Sequence, residues 1–324
     1  MRAVTFFDGE GMHDGTLDVR DGRLRLLPRA APTDTPHLDG VITGLFTDHH
    51  VHLQLVDPDL LPASRLGRVI DLGADPDWIA EVSRHRVTVH YAGPFLTAPG
   101  GYPSDRAWAP TGSVREIADA EHAARTVDEL AAAEVSLIKV VAHSDAGPAI
   151  DDDAFRAVVR QAAVHRLPVV AHAEGAGQAQ RAVRLGATRL AHAPFSERLT
   201  DTEIAAQAAS ASWISTLAIH DDDARAVAID NVRRFVAAGG EVLYGTDMGN
   251  GATPVDLREA EIDALRAAGL DGLDLLTALS PADPLAGGAL LLLPDGDPNR
   301  ARRLTAADID TDTDTDTDTD STEP

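Results

Sequence analysis

From Val41 onward, short apolar runs alternate with longer stretches whose apolar residues recur at helical spacing. The runs are VITGLFTD, RVIDLG, VTVHYAG, SLIKVVA, LPVVAHAE, TRLAHAP, SWISTLAI and VLYGTD, which predicts eight strands. Between them, VREIADAEHAARTVDELAAA (from Val114) and DDDAFRAVVRQAAVHR (from Asp151) read as amphipathic helices. The second opens on carboxylates, which suit a helix N-terminus. Strand–helix alternation implies an α/β fold with a parallel sheet, and eight such units in about 240 residues match a closed (β/α)8 TIM barrel. An open doubly wound sheet is the rival, but it would carry a Gly-rich phosphate loop after its first strand. Here that strand ends in histidines.

The chain ends follow a different pattern. VTFFDGEG, GTLDVRDGRLRLL and the Asp39-Gly40 turn predict short strands and tight turns, and β character returns in GALLLLPDGDP after about Pro284. This predicts a small β-sandwich side domain built from residues 1–47 and 284–306, flanking a barrel over 48–283. Residues 307–324 continue into an acidic Thr-Asp repeat with no apolar side chain after Ile309, so a disordered tail is expected.

Composition narrows the function. Hydrophobic residues make up 44 % of the 324, enough for a sizeable core. There is no cysteine, so disulfides, thiolate metal sites and a cysteine nucleophile are excluded. A net charge of −24 disfavours nucleic acid and anionic membranes as partners. The start shows no basic segment followed by an apolar stretch, and ALLLL is too short to span a bilayer. The expectation is a cytoplasmic protein acting on a small molecule, with a homo-oligomer allowed.

The chemistry sits at strand ends. In TDHHVHL, His50 and His52 alternate, so both point to one side of a strand and can chelate one metal. A His-rich surface turn is the alternative for an isolated pair, but the apolar VITGLF before it argues for a buried strand. Lys139, in SLIKVVA, is the only lysine among 28 basic residues. It either snorkels from a strand end to solvent, or loses its proton and adds carbon dioxide, becoming a carbamate able to bridge two metals. Arginine cannot do the latter. His172 and His192 end consecutive strand candidates, and Asp247 ends the eighth. Four imidazoles, a carboxylate and a carbamate suit zinc, with manganese or iron as alternatives.

This arrangement resembles the amidohydrolase superfamily. The D-x-H-x-H segment, Lys139, His172, His192 and the G-T-D ending in Asp247 fall in that family's order, and the resemblance covers nearly the whole chain. RVIDLG, Gly100-Gly101, IKVVAHSDAG and GTDMGN are most similar to the imidazolonepropionase-like and Xaa-Pro dipeptidase-like branches. Two features depart from the pattern: His143 stands where a small residue is common, and the C-terminal β segment lacks a G-K-x-A-D stretch. The resemblance implies that His50, His52 and Asp247 hold one metal ion, that His172 and His192 hold a second, and that carboxylated Lys139 bridges them. It implies a metal-bridging hydroxide as nucleophile, with Asp247 passing its proton to the leaving nitrogen. The expected reaction is hydrolysis of an amide, cyclic amide or dipeptide-like C–N bond, classed with enzymes acting on non-peptide carbon–nitrogen bonds. His143, His220, Tyr91 and Arg106 are candidate substrate contacts. A mononuclear deaminase using His50, His52, His172 and Asp247, a lactone or ester hydrolase on the same site, and a non-catalytic barrel scaffold are the alternatives.

Overall fold

A computed structural model describes residues 1–84 and 87–310 and resolves the chain into two compact units: Met1–Leu45 together with the chain from Pro281 onward, and Phe46–Ser280. The Thr-Asp repeat of 311–324 lies outside the described residues.

The first unit opens with four strands, β1 (Arg2–Phe7), β2 (Met12–Arg20), β3 (Arg23–Leu27) and β4 (His37–Gly44). The second unit carries β5 (Phe46–Val51), β6 (Leu66–Asp71), β7 (Thr88–Tyr91), β8 (Phe95–Thr97), β9 (Val114–Glu116), β10 (Ile138–His143), β11 (Val169–Glu174), β12 (Arg189–Leu190), β13 (Ser212–Ile214) and β14 (Val242–Leu243). The chain then returns to the first unit with β15 (Leu290–Leu293) and β16 (Arg302–Arg303).

In the first unit the strands form one six-stranded sheet in the order β16-β15-β4-β1-β2-β3. The expected two-layer sandwich is therefore a single sheet. β1 pairs in parallel with β4 and antiparallel with β2, and β15 adds to the far side of β4, so both chain ends extend one hydrogen-bond ladder. Val4 and Phe6 lie two residues apart and share a face, as do Leu290 and Leu292, and they pack with Leu17, Leu26 and Ile42. Ala307–Asp310, which the acidic composition assigns to the tail, forms a short helix whose Ile309 joins this core at 6 % exposure.

The apolar run VITGLFTD is not one strand. It is divided between β4 and β5, one in each unit. Gly44 ends β4, and any Cβ there would overlap the backbone of Ala282.

The second unit is mixed α/β with parallel sheets. β14-β13-β12-β11-β10-β8-β9 form one sheet and β5-β6-β7 another. A parallel bridge between Val51 and Met248 and a hydrogen bond from His49 N to Tyr244 O (3.0 Å) join β5 to the segment after β14. Ile70, Leu72, Ala92, Leu137, Val170, Ala191, Ile214 and Leu243 form a shared core cluster drawn from successive strand segments. Helices follow the strands: α1 (Pro76–Val82), α2 (Ala120–Ala132), α3 (Asp152–Val164), α4 (Gln178–Arg184), α5 (Asp201–Ala208), α6 (Asp222–Ala237), α7 (Glu259–Ala267) and α8 (Gly272–Ala278). Asp151 caps α3 by accepting from the amides of Asp153 and Ala154. Val114–Glu116 is strand rather than the start of a helix, and α2 begins only after its cap, Asp119. No helix among the described residues is long and apolar enough to cross a membrane.

Candidate metal centre

The two-residue period of a strand places the polar cluster directly above the apolar core. Leu137 and Lys139 share a face of the β10 segment, as Val170 and His172 do on β11. The lower member of each pair packs in the core and the upper one lines a cavity of about 590 Å³. His50, His52, His192 and Asp247 line the same cavity, so all six sequence-predicted ligands meet in one place.

His50, His52 and Asp247 converge most closely. His50 Nε2 and His52 Nε2 lie 3.1 and 3.2 Å from the same Asp247 oxygen, Oδ1, and 3.3 Å from each other. The opposite nitrogen of His50 faces Ala191 O at 2.8 Å, and that of His52 faces Gly73 O at 3.4 Å. A carbonyl only accepts, so these contacts put the proton on Nδ1 and leave Nε2 as a lone pair. Asp247 has φ +52°, a strained conformation for a residue with a side chain, and Asn250 donates to its Oδ2 at 2.8 Å. Asp48, fully buried, fastens the arrangement by accepting from His50 N (3.0 Å), Thr246 N (3.1 Å) and Thr246 Oγ1 (2.6 Å). Gly245 leaves room for this approach, because a Cβ there would overlap Ile214 and press on His50.

A second pair stands alongside. His172 Nδ1 and His192 Nε2 are 3.0 Å apart. Glu174 Oε2 holds the other nitrogen of His172 at 3.1 Å, and Thr216 Oγ1 holds that of His192 at 2.8 Å. The ring centroids of His50 and His192 are 4.8 Å apart, so the two pairs are contiguous. Burial drives the imidazoles of His50, His172 and His192 below their ordinary pKa, which keeps them neutral. Burial alone would raise the Asp247 carboxyl; positive charge at the facing Nε2 atoms of His50 and His52, whether a proton or an ion, holds it well below the usual range.

Lys139 is 1 % exposed and forms no ion pair among the described residues. Burial lowers its pKa to about 7, although Asp247 and Asp71 oppose the shift. It is therefore not a snorkelling residue. The donor set fits divalent metal: neutral imidazole lone pairs and a carboxylate oxygen converge within hydrogen-bond distance of one another, with the outer nitrogens of His50 and His52 held by carbonyls and that of His172 by a carboxylate.

The sequence reading of the substrate contacts fares unevenly. His220 lines the cavity, stacked on Phe195 at 4.0 Å, and its buried Nε2 has no hydrogen-bond partner among the described residues. His143 is buried against Tyr102 and 3.4 Å from Glu174, and does not line the cavity. Tyr91 is half-buried on β7 and does not line the cavity. Arg106 pairs with Asp105 at 3.3 Å and lies over the Tyr102 ring, 5.5 Å from its centroid, also outside the cavity lining.

No protein-family model matches the sequence, and no curated protein matches it. Solved structures do. A crystal structure of an amidohydrolase aligns with TM-score 0.68 at 18 % identity over 95 % of this chain and 93 % of that one. The A. niger ochratoxinase aligns with TM-score 0.70 at 14 % identity, covering 94 % and 95 %. A Xaa-Pro dipeptidase with bound methionine in its active site aligns with TM-score 0.66 at 14 % identity, covering 92 % and 94 %. The chain has the amidohydrolase fold.

Within this amidohydrolase fold, several cavity residues escape sequence reasoning. Phe95, Tyr102 and Trp108 come from β8 and the irregular loop after it, which has no periodic pattern to reveal it. Glu174 and Asn250 lie two and three residues beyond His172 and Asp247, and that proximity is the signal that could have found them.

Proposed function

We propose that the chain is a metal-dependent hydrolase of an amide or amide-like C–N bond, built on a closed (β/α)8 barrel. The observation that carries this reading is the convergence of four imidazoles, one carboxylate and a buried lysine at a single cavity. Closure of the barrel is supported by the Val51–Met248 bridge and by a hydrogen bond from Ser136 N to Tyr91 O at 2.9 Å, at opposite ends of the strand series. The similar structures include an amidohydrolase, an ochratoxinase and a Xaa-Pro dipeptidase. The last keeps dipeptides within the substrate range, so the restriction to non-peptide bonds is not part of the proposal.

In this reading His50, His52 and Asp247 hold one divalent ion, His172 and His192 hold a second, and Lys139 joins them as a carbamate. The buried amine is half-neutral near pH 7. Its lone pair adds to carbon dioxide, forming an N–C bond and releasing one proton, and a cation becomes an anionic bidentate ligand. Zinc fits the ligand set, with manganese or iron as alternatives. When bound, such ions supply a nucleophilic water at neutral pH and polarise the scissile carbonyl.

The chain's own residues do the rest. Asp247 Oδ1 lies at the centre of the cluster, where it accepts the proton of the attacking water and returns it to the leaving nitrogen. Asn250, bonded to the other oxygen, keeps that carboxylate in place. His220 offers an unpartnered ring nitrogen inside the cavity, suited to holding a substrate carbonyl.

A mononuclear deaminase does not account for the buried Lys139 or for the His172–His192 pair. The test is turnover. Protein reconstituted with zinc or manganese should hydrolyse members of a panel of N-acyl amines, dipeptides and cyclic amides, and chelator-stripped protein should not. Hydrolysis of lactones alone, or release of ammonia alone, would replace the proposed reaction by one of its rivals.

A further inference from the structure

We propose that the cavity selects an aromatic amide that carries no free carboxylate. The proposal rests on the hydrolase reading and names its substrate class. Aromatic rings flank the histidine cluster on several sides. Phe95 lies 5.3 Å from the His52 ring, Tyr102 stacks 5.5 Å from His172, and Phe195 stands edge-on 6.1 Å from His192. Trp108 extends this wall outward, 6.2 Å from Phe95 and 6.0 Å from Tyr102, with 41 % of its surface exposed. Rings at these separations offer faces and edges to another aromatic group. Because they border the metal-ligand histidines directly, the aromatic part of the substrate lies next to the bond that is cut.

The charges of the same wall exclude an anion. Among the described lining residues there is no arginine, and Lys139 belongs to the ligand cluster. The other charged groups are Asp247 and Glu174, both carboxylates. A substrate carboxylate away from the metal-ligand cluster would meet Glu174, whose side chain is 32 % exposed, with no cation in the lining outside that cluster to answer it, so solvent weakens the repulsion without replacing it by an attraction. Arg106 could have answered it, but it is not among the lining residues: its guanidinium lies over the Tyr102 ring, 5.5 Å from the centroid, and pairs with Asp105. The overall charge of −24 adds a field of the same sign.

The test uses three probes: acetanilide, its para-carboxy derivative and N-cyclohexylacetamide. Binding is measured by titration calorimetry on chelator-stripped wild-type protein, which keeps every lining residue and cleaves nothing, and turnover on the metal-loaded wild type. Acetanilide should bind about three- to tenfold more tightly than the cyclohexyl probe, the gain expected from one or two aromatic pairs. The para-carboxy probe should bind more weakly than acetanilide and should turn over more slowly. Trp108→Ala, at an exposed position that tolerates truncation, should narrow the aryl preference, and Trp108→Arg should restore binding of the carboxylated probe. Equal or tighter binding of the carboxylated or cyclohexyl probe would overturn the proposal. If the wild type cleaves all three with equal kcat/KM, the substrate class fails and the hydrolase reading stands. If acetanilide is preferred in binding but none is cleaved, the class stands and the hydrolase reading fails for these amides.

Discussion

His172 Nδ1 and His192 Nε2 face each other at 3.0 Å while Glu174 and Thr216 hold their outer nitrogens. With both outer nitrogens protonated, the two facing atoms are lone pairs, and only a cation between them makes the contact favourable. Thr216→Val keeps the shape and the β-branching but removes the acceptor that fixes the His192 ring. Metal affinity, read by chelator competition, should fall by about 10- to 100-fold, the usual cost of losing such an outer partner. Unchanged affinity would mean that Thr216 donates to His192 instead.

Lys139 separates two chemistries. Lys139→Arg should abolish activity and metal retention, because a permanent cation would face the ions. Lys139→Ala should also be inactive, but it leaves a gap that added acetate or propionate can enter, partly restoring turnover. Addition of carbon dioxide needs the free amine. Reconstitution of metal-free protein in bicarbonate should therefore speed up as the pH rises through about 7, where the buried ammonium loses its proton. An active Lys139→Arg protein that keeps its metals would rule out the bridge.

Glu261, on α7, is fully buried and accepts from Leu217 N at 2.9 Å and Ala218 N at 2.7 Å, which anchors the turn leading to His220. Glu261→Ala should lower stability by about 1–3 kcal/mol in urea unfolding, the cost of leaving buried donors unpaired. It should also raise KM more than it lowers kcat, because His220 loses its support. Glu261→Gln keeps one acceptor oxygen and should fall in between. Wild-type KM in the alanine variant would contradict this role.

The C-terminal helix gives a test of the first unit. Ile309→Ala should destabilise the protein by about 2–5 kcal/mol if the site cannot collapse around the lost side chain. A chain ending at Asp310 should melt like the full-length protein, and one ending at Ala306 should melt lower. Equal melting of all three would mean that the Ile309 contact contributes nothing.

That the six candidate ligands converge was legible in the sequence because each lies in or shortly after an apolar strand, where the two-residue period leaves little freedom of direction. Lys139 and His172 illustrate this, since each follows a core residue on the same face. The wall opposite them was not legible. β8 is three residues long, and the loop carrying Tyr102 and Trp108 is set by turns and ring packing rather than by periodicity. VITGLFTD was misread as one strand because an apolar run shows where a chain is buried but not in which unit. The first turn of the helix expected from Val114 failed for a similar reason: VRE carries no period of its own, and pairing with β8 makes it a strand. Ile309 was assigned to the tail on composition, which does not register a single apolar side chain meeting a core.

The most direct test of the proposed two-metal centre is metal content per chain, by mass spectrometry on protein reconstituted with zinc or manganese and freed of loosely held ions, alongside its amide hydrolysis. The arrangement of His50, His52, His172, His192, Asp247 and Lys139 calls for about two ions per chain, the number expected of a two-metal site, with activity rising as the second ion binds. One ion per chain with full activity, or activity in protein that holds none, would contradict it.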